Sequence, residues 1–141
     1  VFKEHIVLSE KLKKPLIIHC VKAWDELLRV YEETSPTQPW ILHGYRGKPE
    51  LTKRLIREGF YFSVGDDINV ESMELIPIEN LFCETDEDFM DIRDVYLQAA
   101  QAVNMELEDF AEKIAQNIHR IFPTLQPPKP FDPEEAEEEE D

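Results

Sequence analysis

PELTKRLIREGFYFSV, residues 49–64, sets one helix and one strand end to end, and the rest of the chain reads as variations on it. Pro49 suits a first helical turn, where its missing amide hydrogen costs nothing, and Gly59 suits the position just past a helix end. Leu51, Leu55 and Ile56 fall at helical spacing and supply an inner face. From Phe60 to Val64 the pattern turns to aromatic and β-forming residues, so the spacing predicts a short strand.

Working outward, the same rhythm recurs. Upstream, Val1–Lys14 places Phe2, Ile6 and Ser9 at helical spacing, with Val1, His5, Leu8 and Leu12 beside them. Pro15 ends that stretch and opens a strand from Leu16 to Cys20. Trp24, Leu27, Leu28 and Tyr31 mark a second helix, from Ala23 to about Glu33; Ser35, Pro36 and Pro39 lead from it into a strand at Trp40–His43. Downstream, a linker with Pro77 reaches a fourth strand at Leu81–Thr85. Two amphipathic stretches follow, one through Val95, Tyr96, Ala99, Ala100 and Val103, the other through Leu107, Phe110, Ala111, Ile114, Ala115 and Ile118. Four apolar strands without strict alternation, separated by helices, imply an α/β fold of βαβ units in a parallel sheet covered on both faces. Such units make half of an eight-stranded barrel or a small open sheet.

Composition sets the boundaries. The chain has 141 residues, 42% of them hydrophobic, enough for one core, which we place at residues 1–122. Prolines at 123, 127, 128 and 130 close it, and residues 123–141, with eight acids against one lysine, read as a disordered Pro-rich and acidic tail. Of the net charge of −16, −9 stays on the rest. That balance disfavours broad engagement of a polyanion, since phosphate affinity rests on Lys and Arg contacts. No stretch approaches the ~18 apolar residues of a membrane span, and no signal-peptide pattern is visible. Cys20 and Cys83 form no CxxC pair and read as buried thiols of a cytoplasmic protein. The chain opens on Val1, directly in helix-like sequence, and is expected to be a fragment.

The polar residues that interrupt the apolar runs fall at corresponding places. His19 ends the first strand, His43 the second, Ser63 the third, and Glu84 with Asp86 the fourth. In parallel α/β folds that edge is where sites are built. Alternation puts Phe82, Glu84 and Asp86 on one face. Singly, each has a plain reading: His19 and His43 as hydrogen-bonded core histidines, Asp86 as a cap. Jointly, two imidazoles and a carboxylate suit Zn²⁺, Mn²⁺ or Fe²⁺ better than Ca²⁺. His5 and His119 lie on helices and carry no such argument. Ser63 and Gly65 read as serving a tight turn, because no histidine is paired with the serine locally. The loop Gly44-Tyr45-Arg46-Gly47 precedes a helix N-terminus, where backbone amides and the Arg46 guanidinium suit a phosphate oxygen. The plain alternative is an ordinary turn with an exposed arginine; Lys22 follows the first strand in the same manner. Phosphate-loop and dinucleotide-binding glycine motifs are both absent.

At these residues the chain resembles the TatD family of metal-dependent hydrolases. The matching stretches are 14–20, 41–47, 59–65, 81–86 and 117–122, in order and with the family's spacing. The resemblance implies the C-terminal half of a TIM-like (β/α)8 barrel and a deoxyribonuclease-like hydrolase acting on ester bonds. It implies two divalent metal ions (Zn, Mn, Mg or Fe) in the complete site. His19, His43 and Asp86 would be ligands, with Asp86 also the catalytic proton acceptor. Glu84 would orient a ligand from behind, and Arg46 and Lys22 would meet substrate phosphate. The family's His-x-His pair and its mid-barrel glutamate have no counterpart here, so the fragment is expected to be inactive alone. A missing N-terminal half would complete the barrel, and exposed edges favour self-association. DNA or another phosphoester is the expected substrate. The alternatives are a hydrolase of another small ester or amide, or a non-catalytic remnant or binding module. Gly44, Arg46 and Val21 replace a cysteine, a serine and an arginine of the family pattern, and these departures bear on the substrate more than on the metal.

Overall fold

A computed structural model describes residues 2–19, 23–65, 67–84 and 91–123, with Lys3 through its backbone only. Four strands form one fully parallel sheet: β1 (Leu16–His19), β2 (Trp40–His43), β3 (Tyr61–Val64) and β4 (Leu81–Cys83). Their spatial order, β1-β2-β3-β4, is their order in the chain. Between and around them run α1 (Phe2–Leu12), α2 (Trp24–Thr34), α3 (Pro49–Glu58), α4 (Val70–Leu75), α5 (Ile92–Ala102) and α6 (Leu107–Ile121). Sequential parallel order with interleaved helices is the arrangement of a (β/α)8 barrel wall.

The end signals of α3 work as the sequence predicts. Pro49 occupies the first turn, and Gly59 takes a left-handed φ of 90° while its amide returns to the Leu55 and Ile56 carbonyls. The linker expected before β4 is more ordered than its sequence suggests. It contains α4, capped by Asn69 accepting from the Ser72 amide at 3.0 Å, and a single 3-10 turn at Ile78–Asn80.

Alternation along the strands divides the molecule into two sides. Leu16 and Ile18, Trp40 and Leu42, Phe62 and Val64, and Leu81 face the helices in one continuous core with Ile6, Leu27, Leu28, Leu55, Ala99, Phe110 and Ile114. The opposite face carries a smaller cluster of Ile41, Phe82 and Ile121, with Tyr61 and Phe122 against it. At β1 that second face is uncovered, and Ile17 is 59% exposed. The expectation of a sheet buried on both sides therefore holds for β2–β4 and stops at β1. On α1, Val7, Leu8 and Leu12 are likewise exposed, while Ile6 and Ser9 are buried.

Two polar devices lock the frame. The Glu10 carboxylate accepts from the Thr37 amide (2.8 Å), the Thr37 hydroxyl (2.5 Å) and the Gln38 amide (3.0 Å), tying α1 to the approach to β2. Asn117, 2% exposed on α6, donates to the carbonyls of Ile78 and Leu81 at the start of β4. Among the described residues no helix is long and apolar enough to cross a membrane.

Candidate functional site

The face that bears Ile17, Ile41, Tyr61 and Phe82 ends in polar residues at the strands' C-terminal edge. His19 stands two residues after Ile17, His43 after Ile41 and Glu84 after Phe82, so side-chain alternation keeps each on its neighbour's face. The β1–β2 register sets His19 directly beside His43. Their rings lie 5.7 Å apart between centroids at 54°, with the two Nδ1 atoms 3.5 Å from one another.

Glu84 stands behind this pair. One carboxylate oxygen, Oε1, accepts the Gly44 amide at 2.5 Å, and the other, Oε2, lies against His43 Nε2. Oε2 is shielded from solvent and makes no hydrogen bond of ordinary alignment, so among the described residues the imidazole is the counterweight that faces it. Leaving a buried polar atom unmatched costs about 1–3 kcal/mol for a neutral group and more for a charged one. A proton on His43 Nε2 meets that demand. The Nδ1 lone pair then faces His19, which is how a carboxylate behind a histidine orients it as a ligand.

The residues present fit a divalent ion in part. Two donors held at ~2.0–2.1 Å by one tetrahedral ion stand roughly 3.4 Å apart, close to the separation of the two Nδ1 atoms. Among the described residues no third His, Cys, Asp or Glu joins them to complete a set. Asp86, the expected third member, and Lys22 lie outside the described residues. Arg46 is exposed, with Nη1 3.4 Å from Asp67 Oδ2. Ser63 is not a turn residue; it sits within β3, buried, on the same face as Phe82. His5 and His119 are exposed on α1 and α6.

Sequence reasoning missed what holds the loop after β2. The Tyr45 ring is buried, packing on Trp24 (5.8 Å) and Phe62 (4.8 Å), and its hydroxyl meets Thr52 Oγ1 at 2.6 Å. Thr52 Oγ1 reaches the Lys48 carbonyl (2.9 Å) and Ser72 Oγ (2.9 Å); Ser72 Oγ donates to the Gly47 carbonyl (2.6 Å). Burial, partly offset by the Thr52 hydrogen bond, pushes the Tyr45 phenol up to about 12. The available signal was Thr52, a hydroxyl on the inner face of an otherwise apolar helix stripe. Cys83 is pushed up to about 12 as well, by burial and the neighbouring Glu84, and stays a thiol at neutral pH.

Comparison with known proteins agrees with this architecture. A family model described as TatD related DNase matches residues 1–123. The chain is 27% identical over 142 residues to an uncharacterized metal-dependent hydrolase of Buchnera aphidicola subsp. Baizongia pistaciae, covering 86% of this chain and 54% of that protein. It is 25% identical to the protein named Deoxyribonuclease Tat-D of Schizosaccharomyces pombe, over 65% of this chain and 32% of that one. Among solved structures, a hydrolase TatD family protein from Entamoeba histolytica matches with a TM-score of 0.74 at 20% identity, over 86% of this chain and 56% of that chain, a likeness of fold. The chain thus spans about half the length of the Buchnera and Entamoeba proteins.

Proposed function

We propose, on the premise that the chain belongs to the TatD related DNase family, that it supplies one side of a divalent-metal centre for phosphodiester hydrolysis. The observation that carries this reading is the His19–His43 pair, nitrogen to nitrogen at 3.5 Å, with Glu84 turned onto the far side of the His43 ring.

His19 and His43 would hold the ion through Nδ1, with Asp86 as the third ligand from this chain. Two nitrogens and a carboxylate accommodate Zn²⁺, Mn²⁺ or Fe²⁺ readily, and Mg²⁺ where water completes the shell. When bound, such an ion brings a water's pKa towards neutrality and polarises a phosphoryl oxygen. Asp86 accepts the proton of the attacking water. Glu84 holds His43 in one tautomer and one orientation. Arg46 and Lys22 place positive charge beside the incoming phosphate. The name of the fission yeast relative supports DNA as the substrate. With −9 on the chain outside its acidic tail, contacts confined to a strand end fit better than a long duplex footprint. The cytoplasm is the compartment this reading assigns.

The His-x-His pair and glutamate that the family resemblance adds to such a centre are not among these 141 residues, so turnover by the chain alone is expected to be slight. Elemental mass spectrometry on zinc-equilibrated chain is the direct test. About one zinc per chain is expected, and none in the His19→Ala, His43→Ala double variant. Equal metal in both would sink the reading. In a longer chain that carries the upstream half, replacing Arg46 and Lys22 with Gln should lower phosphodiesterase activity and leave hydrolysis of a neutral ester unchanged; the reverse pattern would favour another small ester.

A further inference from the structure

We propose that Tyr45 is a positioning residue: its buried hydroxyl, fixed by Thr52 and Ser72, holds the loop after β2 so that the Gly44 amide meets Glu84 and sets the His43 ring. The inference rests on the proposed metal role of His43 only for its consequence; the relay itself is a matter of contacts.

The contacts form one connected path. Thr52 on α3 and Ser72 on α4, both nearly inaccessible to solvent, hydrogen-bond one another at 2.9 Å. Their partners above are all in the loop: Tyr45 Oη, the Gly47 carbonyl and the Lys48 carbonyl. Three hydroxyl hydrogens serve these four contacts: Tyr45 donates to Thr52, Ser72 donates to the Gly47 carbonyl, and the single Thr52 proton is shared between the Lys48 carbonyl and Ser72 Oγ. The Tyr45 amide donates to the Ser63 carbonyl at 2.9 Å, pinning the loop's other side to β3. One residue earlier, Gly44 turns with φ 65° and aims its amide at Glu84 Oε1. Glu84 Oε2 then faces His43 Nε2. Gly47 completes the fit, since a Cβ there would collide with the Tyr45 hydroxyl.

A residue acting this way is separable from one that merely fills space. Tyr45→Phe keeps the ring between Trp24 and Phe62 and removes only the bond that holds the loop. The full chain with Tyr45→Phe, Thr52→Val or Glu84→Gln is compared with the parent by three readings: Gly44 amide hydrogen exchange, the His43 ring ¹⁵N signals at fixed pH, and zinc affinity by chelator competition. Tyr45→Phe and Thr52→Val are expected to speed Gly44 exchange about tenfold, to mix the His43 tautomers, and to weaken zinc three- to tenfold. Glu84→Gln is expected to give the larger loss, roughly 10–100-fold, typical of a group that orients a ligand. Parent-like Gly44 exchange and His43 signals in both hydroxyl variants would overturn the relay while leaving the metal reading standing. If the parent binds no zinc, the metal reading fails, and the exchange and ring signals still decide the relay.

Discussion

Asn117 and Leu81, thirty-six residues apart, are joined by a buried hydrogen bond of 2.8 Å from the α6 amide to the first carbonyl of β4. The same amide group donates to Ile78 at 2.6 Å, so one side chain closes the turn that launches β4 towards Glu84. Asn117→Leu fits the volume but removes the side-chain donor from both carbonyls, of which that of Ile78 keeps only the Leu81 amide. It is expected to destabilise the fold by about 2–4 kcal/mol, read as a lower urea midpoint with unchanged slope.

Gly47→Ala makes a different kind of demand. The new methyl group would meet the Tyr45 hydroxyl, which is anchored and cannot swing aside without breaking its bond to Thr52. We expect a loss of about 1–3 kcal/mol, as for small-to-large changes in packed cores. Combining it with Tyr45→Phe should recover part of the loss, because the oxygen is gone and the ring, no longer tied to Thr52, can back away from the contact its carbons still make with the new methyl group. A double-mutant cycle by thermal melting measures this, and strict additivity would contradict it.

Glu10 predicts a pH dependence. Hydrogen bonds from the Thr37 side chain first, and from the Gln38 and Thr37 amides, hold its carboxyl below the ordinary value of 4.5 in spite of some burial. A lowered folded-state pKa means the stabilisation is complete above pH 4.5 and is lost as pH falls through the folded value. Stability should drop on acidification below that point, and less so in Glu10→Gln. Parallel acid titrations of the two, followed by circular dichroism, check the sign.

Phe62 lies at the centre of the core with no exposure, in contact with the Tyr45 ring. Phe62→Ala should cost about 3–5 kcal/mol. Ile17→Ser, on the uncovered face of β1, should change stability by under about 0.5 kcal/mol in this chain. Equal effects from the two would mean that β1 is covered in solution.

Much of this was legible in the sequence because it is local. Pro49 and Gly59 mark α3 through backbone preferences that need no tertiary partner, and alternation alone puts His19 and His43 on the faces of Ile17 and Ile41. What stayed hidden is non-local or short. α4 spans six residues, too few to show a helical period, and its one cue is the Asn69 cap. The joining of Gly44 to Glu84 links residues forty apart, and nothing at Tyr45 announces that its hydroxyl will find Thr52 and Ser72. The exposure of Ile17 was equally unreadable, since an apolar residue in a strand carries no mark of which neighbours are present.

The pairing of His19 with His43 also makes the two rings a gauge of strand alignment. Because neighbouring side chains point to opposite faces, sliding β1 by a single residue would swing Ile18 to the position opposite His43 and turn His19 towards the helices. A loosely collapsed, molten form of the chain can keep its helices and much of its apolar burial. It cannot keep those two imidazoles side by side, so a magnetic coupling between their ring protons would separate the ordered state from its nearest imitation.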